Sequence, residues 1–507
     1  MQVKHLVILL SVFLFVSISY PQQVTTTDTL PKYHYTSIPE FWAQIDDIFN
    51  DPNFNNAQWG VVIQSLETGE YLYKRNEDKL LMPASNLKLF TTAAGLTLLG
   101  HDYTYKTRIY SRGELDGSTL KGDIIVQGTG DPTFSGRFYN GDMFKVFNDW
   151  ADSLMDLGID EITGNIIGDD NLFDDVGLGT GWSWDYESDW FAAPSSAICF
   201  NDNCVDILIT VDKEEFLPIV KIFPNTKYTM IMNDITVVPS DSITDINVYR
   251  ERGTNIVTIS GTIRQNDSLR TYVTVNNPTQ YAMVVLKDVL EKKGINVQGY
   301  AMDIDDVSIP LDYAKTKKLF TYYSPTLKEI VKVINKNSQN LWAEQLLRTI
   351  GYEKKHFGSV DAGLDACESV LRDMGINPES LSIVDGSGLS RLNLVTSKQI
   401  LSVLTYMYKS KNFIPYYNSL PIAGLDGSLA GRLKNTKAEN KVRAKTGFIG
   451  NVRALSGYAY SDDNELFAFS IIANNFNVPV KLVENIQDLV CLRLANFSRN
   501  IRRISGK

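Results

Sequence analysis

Apolar residues recur at helical spacing in Ile38, Phe41, Trp42, Ile45, Ile48 and Phe49, which predicts a helix over Ile38–Phe49. Two strand-like runs follow, Trp59 to Gln64 and Tyr71 to Tyr73, around the turn residues Glu67-Thr68-Gly69-Glu70. They predict a hairpin. Pro83 then sets up a turn, and an Ala-rich apolar run from Leu87 to Leu99 predicts a buried helix with Ser85 in its first turn. From Asp102 to Asn277 the texture changes to short strand-like runs between Gly, Asp, Asn and Ser turns. Those runs are Tyr103–Tyr110, Gly122–Gln127, Val205–Val211, Tyr228–Met232, Ile235–Val238, Asn255–Arg264 and Thr271–Val275. Helical periodicity resumes at Pro278–Lys293 and continues in Thr326–Ile334, Leu341–Gly351, Ala362–Met374 and Ser397–Ser410. The last third reads as strands at Arg443–Thr446, Val452–Tyr460 and Leu466–Ala473, with a closing helix over Val478–Asn496.

Strands at both ends with helices between them imply one sheet completed by distant parts of the chain. The fold class is therefore α/β of the α+β type, a sheet flanked by helices, with β-rich domains inserted. Residues 37–101 and 278–498 form one discontinuous unit in this reading, and 102–277 is an inserted β-rich region of two small domains. No internal repeat is visible.

Composition adds bounds. At 507 residues, with 44% hydrophobic and 21% charged residues, the chain is long enough for two or three domains with ordinary cores. A net charge of -10 argues against a nucleic-acid partner. Lys4, the apolar run Leu6 to Val16 and the small-x-small pattern Ser17-Ile18-Ser19 predict a signal peptide over 1–19, removed on export. A retained anchor is the alternative, and the run is short for a membrane span. Residues 20–36 read as a linker. The basic end, 499–507, reads as a solvated tail, with loose contact to an anionic membrane surface as the alternative. Cys199 and Cys204 could close a small loop disulfide in an exported protein, whereas Cys367 and Cys491 lie in helix-like apolar segments and read as buried thiols. Neither pair has companions at metal-ligand spacing, so neither a metal site nor a cofactor is expected.

The candidate chemistry lies in three short motifs. Ser85 and Lys88 are three apart at a helix start, so they share a face. A Ser hydroxyl becomes a nucleophile when a base takes its proton, and a Lys serves as that base if burial or a nearby cation lowers its pKa. Ser338-Gln339-Asn340 follows a polar turn and precedes the helix at Leu341, where a loop can aim a hydroxyl and a carboxamide into a cleft. Lys445-Thr446-Gly447 occurs once, on a strand-like run, where Lys and Thr can meet a carboxylate and Gly lets backbone approach. Each motif alone has an ordinary structural explanation, such as a helix cap or a strand lysine. Their joint order is the active-site set of serine enzymes that react with penicillin. The four His residues lie outside every motif, which disfavours a Ser-His-Asp hydrolase.

The chain resembles the class C low-molecular-mass penicillin-binding proteins, the D-alanyl-D-alanine carboxypeptidase/endopeptidase family. The resemblance runs over nearly the whole mature chain. It extends to Gly128-Thr129-Gly130-Asp131-Pro132-Thr133, Trp182-Ser183-Trp184, Pro194-Ser195-Ser196-Ala197, Asp385-Gly386-Ser387-Gly388-Leu389-Ser390-Arg391 and Gly424-Leu425-Asp426-Gly427-Ser428-Leu429. The long interval between Ser85 and Ser338 matches the extra domains this family carries there. The resemblance implies a penicillin-binding-protein/β-lactamase-like transpeptidase fold and a periplasmic enzyme acting on peptidoglycan stem peptides, with β-lactams as covalent inhibitors.

It also implies the roles. Ser85 attacks the D-Ala-D-Ala carbonyl and Lys88 accepts its proton. Ser338, near Lys445, relays a proton to the leaving amine, and Asn340 binds the substrate amide and holds Lys88. Lys445, Thr446 and Gly447 receive the terminal carboxylate. The N–H groups of Ser85 and Phe448 make the oxyanion hole. Arg391 is expected at a carboxylate on the stem-peptide side chain, and an acidic group from Asp169, Asp170, Asp174 and Asp175, with Asp170 chosen, at its amine. Phe448-Ile449-Gly450 departs from relatives that carry a polar side chain after Lys-Thr-Gly. Two rivals are weighed against this reading. A β-lactamase needs a group that activates the deacylating water, and no motif assigns one; a catalytically idle wall-binding scaffold would not need all three motifs intact.

Overall fold

The computed structural model describes residues 37–308 and 310–499. The predicted signal peptide, the linker up to residue 36 and residues 500–507 of the basic end lie outside the described residues. The first segment contributes α1 (Ile38–Phe49), β1 (Gln58–Ser65), β2 (Tyr71–Arg75) and α2 (Lys88–Leu98). Ser37 caps α1 by accepting from the Glu40 N–H. A second segment follows with β3 (Lys106–Asp116), β4 (Thr119–Gln127), α3 (Lys145–Asp156), β5 (Glu161–Ile162) and β6 (Ile166–Asp169). It continues through β7 (Cys204–Val211), β8 (Pro218–Phe223), β9 (Met230–Val238), β10 (Asp245–Arg250), β11 (Ile256–Arg264) and β12 (Ser268–Thr274). α4 (Pro278–Lys293), β13 (Asn296–Val297), β14 (Ala301–Asp303) and β15 (Lys317–Tyr323) complete it. The chain then runs through α5 (Leu327–Lys336), α6 (Asn340–Lys355), α7 (Val360–Asp373), α8 (Ser397–Lys409) and α9 (Phe413–Ser419), and ends with β16 (Val442–Ile449), β17 (Val452–Tyr460), β18 (Leu466–Asn474) and α10 (Val480–Asn496).

The two ends of the chain share a five-stranded sheet in the order β16-β17-β18-β1-β2. Strand β1 pairs antiparallel with β18, from Gln58 opposite Asn474 to Ser65 opposite Phe467. Alternation along β1 sends Trp59, Val61 and Ile63 to one face and Val62 to the other. The first face packs on α1 and α10 through Phe41, Ile45, Val483 and Val490. The second packs on the helices α2 and α5 to α8 through Leu89, Ile330, Leu346 and Ile400. Both faces are covered, which is why these strands read as nearly continuous apolar runs.

A second core lies on the inserted segment. Its largest sheet runs β13-β5-β4-β3-β15, with β6 bridging β4 and β14, and two three-stranded sheets, β10-β11-β9 and β12-β7-β8, complete it. The insertion is longer than the periodicity suggested. The periodicity puts helix α4 with the outer unit from residue 278, but Tyr281, Met283, Leu286 and Leu290 are buried in the second core. β15 then pairs antiparallel with β3, Lys317 opposite Ser111 to Tyr323 opposite Lys106. The chain returns to the first sheet's helices only after Ser324. Helical spacing reports that one face of α4 is buried and says nothing of which core buries it.

Three smaller readings also change. Arg499 is not part of a solvated tail, because its guanidinium meets Glu465 at 2.8 Å and Glu70 at 2.9 Å. Helix α3 lies within a stretch to which the strand-like texture assigns no helix, and Val146, Phe147, Trp150, Ala151 and Leu154 form its buried stripe. Cys199 and Cys204 are buried free thiols and not a disulfide. Asn201, Asp202 and Asn203 between them all have positive φ and turn Cys204 onto β7, while the Cys199 sulfur accepts from Asn203 and Gln345.

Candidate active site

Ser85 sits in a tight 3-10 turn, Ala84–Leu87, and the α-helix begins at Lys88 itself. This refines the expected first-turn position. In a 3-10 turn side chains three apart eclipse, so Lys88 lies directly over Ser85. Ala84 enters the turn at φ 47°, and Gly388 packs against it so closely that a Cβ there would lie 2.0 Å from the Ala84 carbonyl oxygen. The turn is thus held by a neighbour that only glycine allows.

Lys88 is fully buried, and its Nζ lies 2.9 Å from Ser85 Oγ, 2.6 Å from Asn340 Oδ1 and 2.7 Å from the Ser387 carbonyl. Burial pulls its pKa down to about 7, against the opposing pull of Asp385 and Glu344. Asn340 Oδ1 and the Ser387 carbonyl can only accept. A neutral amine has two N–H bonds for those two acceptors and one lone pair left for the Ser85 hydroxyl. The geometry therefore accommodates the base form of Lys88.

Asn340 begins α6, and its Nδ2 donates to the Phe191 carbonyl at 2.6 Å. Ser338 holds φ 57°, a left-handed conformation that costs a side-chain-bearing residue about 1–2 kcal/mol. That bend presents its Oγ to Lys445 Nζ at 2.8 Å. Lys445 is fully buried, and burial followed by the charge of Lys88 holds its pKa well below the ordinary value. Its Nζ also donates to the Thr446 carbonyl at 2.9 Å, and Asn86 Nδ2 donates to the Lys445 carbonyl at 2.9 Å. Thr446 Oγ1 lies 2.6 Å from Ser428 Oγ.

β16 is an edge strand. Its Val442 carbonyl and Ala444 N–H bond outward, to Ala423 and Pro421. By strand alternation the Phe448 N–H leaves the same open edge. The Phe448 ring turns onto the Arg453 guanidinium, 3.5 Å from its centroid.

Ser85, Lys88, Asn340, Ser338, Lys445 and Thr446 thus converge on one cleft from three distant stretches. Arg391 stands at the rim, exposed, donating to the Gly450 carbonyl at 2.8 Å beside Met82. Asp170 is not brought into this group. It accepts from Ser196 at 3.1 Å and from Thr279, and it lines a cavity of about 290 Å³ with Asp174, Asp175, Asp303 and Asp305. Burial raises its pKa to about 6, with Asp303 adding to the shift.

Sequence reading missed several supports. Glu344 accepts from the Gly386 and Ser387 N–H groups, and Asp385 accepts from Gly388, Ser390, Asn393 and Trp182. Together they hold the loop that supplies the Ser387 carbonyl. Glu344 carried a legible signal as a lone carboxylate one turn after Asn340 within the apolar run Leu341–Leu347. Asp202 carried none. Its carboxylate takes Trp342 Nε1 at 2.9 Å, Gln339 Nε2 at 3.2 Å and Arg137 Nε at 2.8 Å, tying the insertion to the loop between Ser338 and Asn340.

Comparison with known proteins finds relatives that match most of the chain. A family described as D-Ala-D-Ala carboxypeptidase 3 (S13) matches residues 41–496. The chain is 32% identical over 479 residues to the D-alanyl-D-alanine carboxypeptidase of Actinomadura sp. (strain R39), covering 91% of this chain and 85% of that one. The crystal structure of penicillin binding protein 4 (dacB) from Haemophilus influenzae superposes with a TM-score of 0.76 at 24% identity, over 89% of this chain and 99% of that chain. A second structure of that protein, complexed with a novel β-lactam, superposes with a TM-score of 0.71 at 25% identity, over 90% of this chain and 100% of that chain. The fold is that of the penicillin-binding proteins.

Proposed function

This chain belongs to the D-Ala-D-Ala carboxypeptidase 3 (S13) family of serine peptidases, and from that premise we propose that it is an exported enzyme cleaving peptidoglycan stem peptides and cross-links through an acyl-serine. The observation that carries the proposal is the contact of 2.9 Å between Lys88 Nζ and Ser85 Oγ, with both other Lys88 partners acceptors only.

In this reading Ser85 Oγ attacks the carbonyl carbon between the two D-Ala residues as its proton passes to Lys88 Nζ. The carbonyl oxygen becomes an oxyanion facing the N–H groups of Ser85 and Phe448. Ser85's own N–H lies at the start of a helical turn, where no intrahelical acceptor exists. Collapse breaks the C–N bond. The departing amine takes the Ser338 hydroxyl proton, which Ser338 regains from the Lys88–Lys445 side of the network. Lys445, Thr446 and Gly447 hold the terminal carboxylate during this step. Water then attacks the ester as Lys88 accepts its proton, and the C–O bond to Ser85 breaks as Lys88 returns that proton to Ser85 Oγ, which restores both groups.

A β-lactam follows the same first step, but its leaving amine stays tethered, so the acyl-enzyme persists. The β-lactam complex of the Haemophilus influenzae relative supports this part. Arg391 at the rim is the proposed contact for a carboxylate on the stem side chain. The apolar N-terminal run supports export to the periplasm. The test is a fluorescent penicillin together with D-Ala release from an acyl-D-Ala-D-Ala peptide. Stable labelling and release in the wild-type chain, both lost in Ser85→Ala with an unchanged circular dichroism spectrum, are expected. Labelling that survives Ser85→Ala overturns the assignment.

A further inference from the structure

The Lys445-Thr446-Gly447 strand does not meet the cleft alone. The loop from Ile422 to Leu429 runs along its open edge, joined by the antiparallel bridge between Ile422 and Arg443. We infer that Ser428, on this loop, is a further substrate-binding residue that takes one oxygen of the terminal carboxylate beside Thr446. The inference rests on the acyl-serine reading above and adds a residue to it.

The loop is built to hold Ser428 in place. Leu429 is fully buried next to it. Asp426 accepts from the Ile422 N–H at 2.9 Å and pairs with Lys336, at the end of α5 just before Ser338. Gly427 has φ 56°, and a Cβ on it would come within 2.8 Å of the Lys336 carbonyl oxygen. Ser428 itself stays exposed, so its hydroxyl is open to a ligand.

Donor counting gives the hydroxyl its task. A carboxylate offers two oxygens and about four acceptor sites. Lys445 Nζ already has Ser338 Oγ and the Thr446 carbonyl as partners. Thr446 Oγ1 and Ser428 Oγ lie 2.6 Å apart, so one hydroxyl donates to the other and one O–H stays free. An arriving carboxylate accepts from both hydroxyls, each rotating to one oxygen, while Lys445 supplies the charge. Position 448, next along the strand, carries a phenyl ring packed on Arg453 and has no hydroxyl to offer. Ser428 fills that gap from a neighbouring loop.

The experiment compares Ser428→Ala and Ser428→Thr with the wild type, using benzylpenicillin and its methyl ester, which lacks the carboxylate. Acylation of Ser428→Ala by benzylpenicillin is expected to slow roughly tenfold to a hundredfold, the loss of one hydrogen bond to a charged group. The ester should react with all three chains at one rate, and Ser428→Thr should restore most of the benzylpenicillin rate. Equal slowing with acid and ester overturns the inference and leaves Ser428 as a positioning residue for Thr446. An unchanged benzylpenicillin rate in Ser428→Ala overturns it too. If the wild-type chain is not acylated at all, the acyl-serine reading falls first, and that failure is visible before any variant is made.

Discussion

Lys88 Nζ and Ser85 Oγ are 2.9 Å apart, and the lysine is enclosed by protein with a pKa pulled down to about 7. The base form exists above that value. Acylation by penicillin should therefore rise about tenfold per pH unit below 7 and level off above it. A stopped-flow pH profile checks this, and a flat profile from pH 5 to 9 would exclude Lys88 as the base.

Asn340 Oδ1 lies 2.6 Å from the same nitrogen. In Asn340→Asp an opposite charge replaces a neutral acceptor and favours the charged lysine, raising its pKa. The ascending limb should move to higher pH by about one unit or more, with acylation at pH 7 falling about fivefold or more. A limb that stays in place means that the titrating group is not Lys88.

Arg391 is exposed at the rim and donates to the Gly450 carbonyl. If it grips a carboxylate on the stem peptide, Arg391→Ala should slow cleavage of a diamino-diacid pentapeptide roughly tenfold to a hundredfold, since a hydrogen bond to a charged group is worth about 1.5–3 kcal/mol. Penicillin lacks that second carboxylate and should acylate at the wild-type rate. Equal losses would make Arg391 a brace for the β16–β17 turn.

Asp202 crosses from the insertion to α6 and takes donors from Trp342, Gln339 and Arg137. Asp202→Ala leaves these donors without their acceptor, at about 1–3 kcal/mol for each buried group. A fall in Tm together with slower acylation is expected, because Gln339 sits between Ser338 and Asn340. A lower Tm with unchanged acylation would mean that the contact holds the insertion alone.

The buried thiols give a simple check. Cys199, Cys204, Cys367 and Cys491 are all free, and burial raises the pKa of each above its ordinary value. Thiol titration without reductant should find them unreactive in the folded chain and all reactive in denaturant. Two thiols missing after denaturation would point to a Cys199–Cys204 bridge.

The local signals in this chain were legible because they depend on neighbours in sequence. Spacing of Ile38, Phe41 and Ile45 made a helix, alternation around Val62 made a strand, and Ser85 and Lys88 lay close because they are three positions apart on a helical turn. The order of three motifs carried the family. Tertiary structure decided what spacing cannot encode. Helix α4 has one apolar stripe, and only packing assigns it to the second core. Asp202 is one acid in a polar turn until the chain folds it beneath Gln339. Ser428 and Thr446 meet because an antiparallel bridge lays one loop along an edge strand. The lowered pKa of Lys88 belongs to the same class, since it comes from burial by residues far along the chain, and burial is a property of the fold.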